Sequence, residues 1–465
     1  MSVLKVPAIL DPGFQPLAAA VRDYQDDVRT FGKAQRFVCA IERGGGFTSP
    51  WEMEIFPEGV QTKRTVALLE RIVKGLLWMR GGYKIKVSGS MALYEHLKDI
   101  YRPGGARAFD EDYMAGVFEH PFEIAFYENA DEIAIAVEGA SAVGRHLDGC
   151  RIGFDAGGSD RKVSAVIDGE PVFSEEVIWF PKTAEDPDYH YEGILSSMKA
   201  AAAHMPRVDA IGVSSAGVYI DNRTMAASLF LKVGKDDFQR KVRNIYIDAA
   251  KAIGDVPLVV ANDGDVTALA GAMNLEAGNV LGIAMGTSQA GGYVNKDTHI
   301  MGWLNELAFV PIDINPQAMV DEWSGDYGCG VKYFSQDGVI KLAPVIGITL
   351  DESLSPAEKL KVVQDEMEKG NPLAPGIFET IGVCFGYAIA YYALFYKIQH
   401  VLIMGRVTSG EGGTLLLNKA QEVLVKEFPQ LAQQISLNIP DEKSRRIGQS
   451  VAAASLPEIK KLVLT

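Results

Sequence analysis

The sequence predicts an α/β protein with more than one domain. The chain has 465 residues, which is too long for a single hydrophobic core. Four apolar stretches, each typical of a buried strand, run directly into small or acidic residues: VDAIGVSSAG, VPLVVANDG, NVLGIAMGTS and HVLIMGRVTSG. In open α/β sheets the chemistry lies where such strands end at their carboxyl edge. We therefore expect two similar lobes that face each other across a cleft.

The first 148 residues predict an additional α/β module of unknown role. RFVCAIERGGGFTSPWEMEIF is typical of two strands around a glycine-rich turn, and TKRTVALLERIVKGLLWMRGG has the spacing of an amphipathic helix that ends at Gly81. We expect this module at 1–148, a first lobe at 149–260 and a second lobe at 261–465. One hypothesis is that the module packs against the first lobe through GGARAFDEDYMAGVFEHPF. This segment could equally be an irregular connection inside the module.

Composition limits the choice of partners and compartment. The formal net charge is −15, which argues against nucleic acid or an anionic membrane surface as a partner but does not exclude nucleotides. The four scattered cysteines predict no disulfide framework. The run that begins at Ile381 is short for a bilayer and contains Gly and Tyr, so we expect a buried helix there. The N-terminus lacks the pattern of a signal peptide. We expect a cytoplasmic protein that does not bind membranes.

The first candidate site is the turn after the strand RIGFDA. Gly157 and Gly158 allow backbone N–H groups to approach phosphate oxygens, and Ser159 adds a hydroxyl. Asp155, at the end of the strand, has the chemistry to hold Mg²⁺ through water. The alternative is an ordinary hairpin turn.

A second turn repeats this design. Gly286, Thr287 and Ser288 follow the strand NVLGIAM and precede another apolar stretch. Two such turns in one chain favour a phosphate that is bound by both, although a plain turn remains the alternative.

Two further motifs complete the set. Asn262 and Asp263 end the strand VPLVVAN, and a carboxylate there could take a proton from a substrate hydroxyl. Asp263 could instead serve as the N-cap of the next helix. Gly405 and Gly410 belong to a late glycine-rich turn that could accept adenosine against bare backbone, or could simply be a flexible loop.

In this order the motifs resemble the actin-like ATPase and sugar-kinase superfamily, whose fold is ribonuclease H-like. More narrowly, the chain from about 151 to 455 resembles the ROK family, which includes bacterial sugar kinases and repressors. The resemblance implies that ATP and Mg²⁺ are cofactors and that a sugar or sugar derivative is the substrate. It makes Asp263 the general base, and Asn262 and Glu306 sugar contacts. The two turns become phosphate loops, and Gly405 and Gly410 line the adenosine side. It also suggests a homodimer.

The chain departs from the family pattern on the sugar side. Glu306-Leu307-Ala308-Phe309 stands where the family has Glu-x-Gly-His, so that histidine is missing. The cysteine-rich zinc motif is reduced to Cys329, and we therefore expect no structural zinc. The loop that zinc would brace must then be held by packing, for which Trp323, Tyr327 and Tyr333 are candidates.

Two functions fit this combination. The first is an ATP-dependent carbohydrate kinase whose acceptor is not a common hexose. The second is a catalytically silent sensor or scaffold protein on the same fold. A DNA-binding repressor is disfavoured, because the sequence shows no helix-turn-helix pattern and its charge repels DNA.

Overall fold

The computed structural model describes residues 2–138, 143–440 and 442–459, without the side chains of 442–447. The chain divides into two compact units. Unit 1 comprises Met1–Gly139, Ile283–Gly291 and Trp303–Ile439, and unit 2 comprises Ala140–Gly282, Gly292–Gly302 and Pro440–Thr465.

Strands and helices are interspersed along the described chain, as the α/β prediction requires. The strands are β1 (Gln35–Glu42), β2 (Thr48–Ile55), β3 (Lys84–Ser88), β4 (Glu123–Phe126), β5 (Cys150–Ala156), β6 (Asp160–Ile167), β7 (Glu170–Ile178), β8 (Ala210–Ser215), β9 (Val218–Ile220), β10 (Arg223–Ala226), β11 (Leu258–Asn262), β12 (Val280–Met285), β13 (Gln289–Val294), β14 (His400–Met404) and β15 (Ser436–Asn438). The helices are α1 (Leu17–Phe31), α2 (Thr62–Arg80), α3 (Met91–Ile100), α4 (Ala108–Phe118), α5 (Pro187–Ala202), α6 (Lys235–Asp237), α7 (Ile245–Ile253), α8 (Asp263–Leu275), α9 (Gln336–Leu342), α10 (Pro356–Glu368), α11 (Pro375–Tyr392), α12 (Glu411–Glu427), α13 (Pro429–Ala432) and α14 (Glu442–Ala454).

Unit 2 is built on a five-stranded sheet in the order β11-β8-β5-β6-β7. The consecutive strands β5, β6 and β7 pair antiparallel, whereas β8 pairs parallel with β5 and β11 pairs parallel with β8. The three parallel strands therefore end at one shared edge. The strands β13, β12, β14 and β15 form a separate sheet in that order. The boundary between the units crosses the chain within β12 and β13.

Helix α14 lies directly on the sheet of unit 2. A Cβ atom at Gly153 of β5 would lie 1.8 Å from the Ser450 carbonyl oxygen, and one at Gly212 of β8 would lie 1.7 Å from the Ala453 carbonyl oxygen. Only glycine allows this approach. The C-terminal helix consequently reaches the strands whose ends carry the first predicted site.

The N-terminal segment folds as part of unit 1. It forms the sheet β2-β1-β3-β4, and its first hairpin turns at Gly44–Gly46 as predicted. It is joined to the later part of the unit by backbone hydrogen bonds, from Leu17 N to the Ile312 oxygen (2.8 Å) and from Ile314 N to the Gln15 oxygen (3.0 Å). The units thus differ from the predicted boundaries at 148 and 260. The hypothesis placed the module against the first lobe, but these contacts join it to residues of the predicted second lobe.

The segment suggested as a contact loop is mostly helical. Residues of this stretch form α4, and Asp110, Met114 and Val117 on that helix are buried. The apolar run from Ile381 is the buried helix α11, as predicted. Across the described ranges, we find no helix with both the length and the apolar character that crossing a bilayer requires.

A buried group of charges connects α2 to the loop before Cys329. We call it the Asp326 cluster; its members are Glu70, Arg71, Lys74, Arg107, Asp110 and Asp326. Asp326 Oδ2 accepts hydrogen bonds from Arg71 Nη1 (2.8 Å) and Lys74 Nζ (2.6 Å), and Arg107 Nη1 lies 2.8 Å from the same oxygen. Burial disfavours the Asp326 carboxylate, but these three cations outweigh that effect and hold the pKa of its carboxyl well below the usual range.

The Asp326 cluster changes the explanation for how the loop around Cys329 is held. Trp323, one of the predicted packing residues, is 63% exposed. Tyr327 does take part, since Arg71 lies 4.2 Å from its ring centroid, and Tyr333 donates a hydrogen bond to Asp313 Oδ2 at 2.6 Å. The loop around Cys329 is therefore held by the ion pairs of Asp326 with the N-terminal segment as well as by aromatic packing.

We predict that Asp326→Asn destabilises the protein by about 3–5 kcal/mol, because it leaves three cations buried without their common partner. Urea unfolding of the full chain measures this loss. Asp131→Asn, which removes the partner of Arg36 in an exposed pair, is the matched control and should change the free energy of unfolding far less. Equal stability of the two variants would contradict the assignment.

Candidate functional site

The carboxyl edge of the unit 2 sheet brings several predicted site residues together. Asp155 of β5 is in register with Ser214 of β8, and Ser215 of β8 is in register with Asn262 of β11. These three strands are parallel, so their last residues lie side by side. Asp263 follows Asn262 directly. In this unit the candidate residues Asp155, Asn262 and Asp263 therefore lie at the same edge of the sheet, as expected from their positions after the strands.

Asp155 is buried and hydrogen-bonded at this edge. It is 6% exposed, and its Oδ1 accepts a hydrogen bond from Ser214 Oγ at 2.8 Å. Burial raises the pKa of the Asp155 carboxyl to about 6, although Ser214 and the charge of Lys162 oppose the rise. The nearby Asp263 charge raises it further. A buried carboxylate whose ionisation is disfavoured in this way would be stabilised by a nearby cation.

Asp263 does not serve as the cap of α8, which was the alternative left open by the sequence. The N-cap is Asn262, whose Oδ1 accepts a hydrogen bond from Gly264 N at 2.7 Å. Its Nδ2 donates to the Gly217 oxygen at 2.7 Å. Asp263 is the first residue of the helix and is half-buried. Burial raises the pKa of its carboxyl, opposed by the Gly264 N–H and by the charge of Lys182.

The first predicted phosphate loop follows β5 at Gly157, Gly158 and Ser159. Trp179, immediately after β7, anchors it, because its Nε1 donates to the Gly157 oxygen at 2.7 Å and its backbone N donates to the Ser159 oxygen at 3.2 Å. Gly158 and Ser159 are exposed. The loop therefore presents backbone to solvent while its carbonyl groups point to Trp179.

Lys182 is a cation at this loop that the sequence analysis did not identify. A Cβ atom at Gly158 would lie 3.2 Å from Lys182 Nζ, so the ammonium group lies directly over the glycine. His190 of α5 holds the same segment, since its Nε2 lies 2.9 Å from the Pro181 oxygen. No local motif marks Lys182. It lies near Gly158 because β6 and β7 pair antiparallel, which brings the chain after β7 back to the turn before β6. A cation at a glycine turn is suited to an anionic ligand.

Gln449 is a second residue that the sequence analysis missed. It lies on α14, and its Nε2 donates to Ser214 Oγ (3.2 Å) and to the Asp263 backbone oxygen (3.4 Å). Because Ser214 in turn donates to Asp155, Gln449 orients the hydroxyl that contacts this carboxylate. About 190 residues separate Gln449 from the nearest of these partners, so local sequence carries no sign of the contact.

The remaining predicted residues lie in unit 1. Gly286 N donates to the Ser288 oxygen at 2.9 Å, and Thr287 and Ser288 are exposed between β12 and β13. Gly405 has φ 103°, and its Cβ would lie 2.3 Å from the Met285 oxygen, so a close backbone approach to β12 explains this glycine. Gly410 precedes α12 with φ 68° and open space around it. The adenosine-side role of both glycines stays a prediction.

Glu306 is positioned by the end of α2. The backbone N–H groups of Leu304, Asn305 and Glu306 donate to the carbonyl oxygens of Arg80, Met79 and Trp78, each at 3.1 Å. These are carbonyls that a helix end leaves without partners inside the helix. The predicted sugar contact is therefore held in place by the N-terminal segment.

The carboxylates of unit 2 fit the cation that the motif predicts. Within the described residues, no group of three or more His, Cys, Asp or Glu side chains could hold a metal. Magnesium, however, binds commonly through one or two carboxylates together with water and substrate phosphates. Asp155, the predicted magnesium residue, is a carboxylate at a strand end and meets that smaller requirement. The predicted absence of structural zinc stays a prediction.

Structures similar to this chain belong to ROK proteins. A ROK hexokinase from Thermus thermophilus matches with a TM-score of 0.51 and 17% identity, over 66% of this chain and 97% of the hexokinase. A ROK family transcriptional regulator, a homologue of the E. coli MLC protein, matches with a TM-score of 0.50 and 19% identity, over 66% of this chain and 78% of the regulator. No protein-family model and no curated protein matches the chain. At these identities the likeness is one of fold, and it confirms the predicted two-lobed actin-like fold class.

We predict that Asp155→Asn stabilises the protein at neutral pH. The folded-state pKa of about 6 lies above the ordinary aspartate value near 4, so folding favours the protonated form. The contribution of Asp155 to stability is complete below about pH 4 and is lost as the pH rises through 6. Urea unfolding at pH 7.5 should show the variant more stable by about 2 kcal/mol, and the difference should shrink towards pH 4.5. A destabilised variant at pH 7.5 would contradict the assignment, and the exposed Asp248→Asn is the control.

Proposed function

We propose that this protein is an ATP-dependent kinase of the ROK type that phosphorylates a hydroxyl group of a sugar or sugar derivative. The observation that carries the proposal is the state of Asp263. It lies at the carboxyl edge of a parallel sheet beside Asp155, and its pKa is raised. Asn262 is the N-cap of α8, and Asp263 Oδ1 shares the same Gly264 N–H at 2.9 Å, which leaves further acceptor positions on its carboxylate.

In the proposed reaction Asp263 is the general base. Its carboxylate takes the proton of the acceptor hydroxyl as the oxygen forms a bond to the γ-phosphorus. The bond between that phosphorus and the β–γ bridging oxygen breaks, and ADP leaves with the electron pair. A carboxylate with a raised pKa binds a proton more tightly and is therefore a stronger base. A general base works best when its pKa approaches the working pH, so the raised pKa of Asp263 favours this role.

The first phosphate loop and Lys182 are proposed to position the phosphates. The exposed backbone at Gly158 allows close approach, and the ammonium group above it supplies a positive charge. Asp155 would hold Mg²⁺ through water, and the bound ion would supply charge neutralisation at the transferring phosphoryl group. Ser214 and Gln449 then act as positioning residues for Asp155.

A second candidate is a catalytically silent sensor or scaffold. Two observations in the chain favour it: Phe309 replaces a polar sugar contact of the resembling family, and the side chain of Asn262 has partners at both ends of its amide group. The acidic composition continues to argue against DNA as a partner. The cytoplasmic location and a homodimer stay predictions.

We predict that the purified protein consumes ATP with Mg²⁺ in the presence of one acceptor from a panel of sugars, amino sugars and glycosides. Asp263→Asn should lower the turnover number by about 10²–10⁴-fold, which is the usual contribution of a general base. ADP release measured by a coupled assay gives the rate, and calorimetry checks that the variant still binds nucleotide.

The control for this experiment is Asp248→Asn, which changes an exposed aspartate on α7 of the same unit. Retained turnover in Asp263→Asn would overturn its role as base. Nucleotide binding by the wild type without turnover on any acceptor would favour the sensor.

We also predict that Lys182→Ala raises the KM for ATP about tenfold or more, because a charge-assisted contact to phosphate contributes about 1.5–3 kcal/mol. Lys182→Arg keeps the charge and should restore part of the affinity. Lys199→Ala, which removes an exposed lysine of α5, should leave KM unchanged. A KM for ATP unaffected by Lys182→Ala would contradict the phosphate contact.

A further inference from the structure

Three half-buried aromatic side chains lie together beside Glu306. We call Phe109, Tyr113 and Phe309 the aromatic patch; the first two belong to α4 and the third follows Glu306 by three residues. All three belong to unit 1. The patch combines the N-terminal segment with the residue that replaces the histidine of the resembling family.

The rings are in mutual contact and are backed by one buried tryptophan. The centroid of Phe309 lies 5.7 Å from that of Phe109, and Tyr113 lies 6.0 Å from Phe109. Trp78 is fully buried behind them, at 4.3 Å from Phe309 and 5.0 Å from Tyr113. Such spacing is that of packed aromatic pairs, so the three rings form one rigid surface.

The same tryptophan connects the patch to Glu306. Its backbone oxygen accepts the Glu306 N–H, and its Nε1 donates to Asp110 Oδ1 at 3.0 Å. Phe309 N donates to the Glu306 backbone oxygen at 3.3 Å, so Glu306 and the patch belong to one short turn. Burial raises the pKa of Tyr113, and the Glu306 charge adds to this rise. A carboxylate and an apolar surface thus share one small area.

This combination sets two requirements for a ligand. The Glu306 carboxylate accepts hydrogen bonds, which hydroxyl groups can donate. The aromatic patch offers half-buried apolar ring surface, with the Phe109 and Phe309 rings tilted by 49° to each other, and the Tyr113 hydroxyl as a polar group. A ligand that satisfies both parts has hydroxyl groups on one portion and an apolar portion next to them. An unsubstituted hexose carries hydroxyl groups around its whole ring, so it has little apolar surface to pack against the patch.

We propose that the aromatic patch and Glu306 form a binding site for a sugar that carries an apolar or aromatic substituent, such as an aryl glycoside. This inference rests on the proposed kinase function for its substrate, but the preference can be measured by binding alone. The N-terminal segment then has a role in recognition, because it supplies Phe109 and Tyr113 and anchors Glu306.

The test compares matched ligands that differ only in the substituent. Methyl and phenyl β-D-glucopyranoside, and the corresponding galacto and manno pairs, are titrated by calorimetry into the full chain with Mg²⁺ and a non-hydrolysable ATP analogue. At least one pair should show the phenyl glycoside bound about tenfold or more tightly, since stacking adds to the burial of the ring.

Variants assign the preference to the patch. Phe309→Leu and Phe109→Leu keep an apolar side chain but remove a ring, and each should reduce the phenyl-to-methyl affinity ratio towards one without weakening the methyl glycoside to the same extent. Phe31→Leu, at an exposed phenylalanine of α1 outside the patch, is the matched control and should keep the wild-type ratio. Thermal unfolding of each variant confirms that it folds.

The outcomes separate this inference from the kinase function. A phenyl preference that the patch variants remove, without ATP turnover, supports the patch and overturns the kinase. Turnover with equal affinity for the members of every pair supports the kinase and overturns the patch. A preference that survives both patch variants, or no binding of any glycoside by a protein that binds the nucleotide analogue, also overturns the proposal.

Discussion

The structure of unit 1 depends on the ion pairs made by Asp326. Its carboxylate contacts Arg71, Lys74 and Arg107, so α2 and the segment before α4 are connected to a loop more than 200 residues later in the chain. Buried ion pairs add little net stability over apolar packing, but losing one partner is costly. The Asp326 cluster therefore acts mainly by specifying which segments meet. Glu70, Arg71 and Lys74 can be buried on α2 because the cluster gives each of them a partner of opposite charge.

This arrangement explains the size of the chain before the first predicted phosphate loop. The N-terminal segment is not a detachable addition to unit 1, because it supplies three of the buried cations and the helix end that anchors Glu306. The resembling family braces this region with zinc. Here only Cys329 remains of that motif, and the Asp326 cluster lies beside its sulfur, with Lys74 Nζ at 3.8 Å.

In unit 2 the buried group lowers stability at neutral pH, because no cation pairs directly with it among the described contacts of Asp155. Asp155 is buried at a pKa of about 6 near a second carboxylate, and this arrangement is unfavourable to folding at neutral pH. Ser214 donates to its carboxylate and Gln449 donates to Ser214, so these uncharged groups hold the side chain in place without neutralising it. Carboxylates with pKa values perturbed by burial are common at functional sites, where binding or catalysis offsets their cost in stability.

Much of the fold could be predicted because its signals are local. Alternating apolar residues marked the strands, Gly81 marked the end of α2, and the polar residues after β5, β11 and β12 marked the candidate sites. The sequence determined which residues end the strands and which glycines the turns require, because these depend on neighbours within a few positions. The tertiary structure alone decided that Asn262 rather than Asp263 caps α8, that Lys182 covers Gly158, and that Phe109 meets Phe309. Those contacts depend on which distant segments approach each other, and burial of charge and of aromatic surface, not local propensity, selects them.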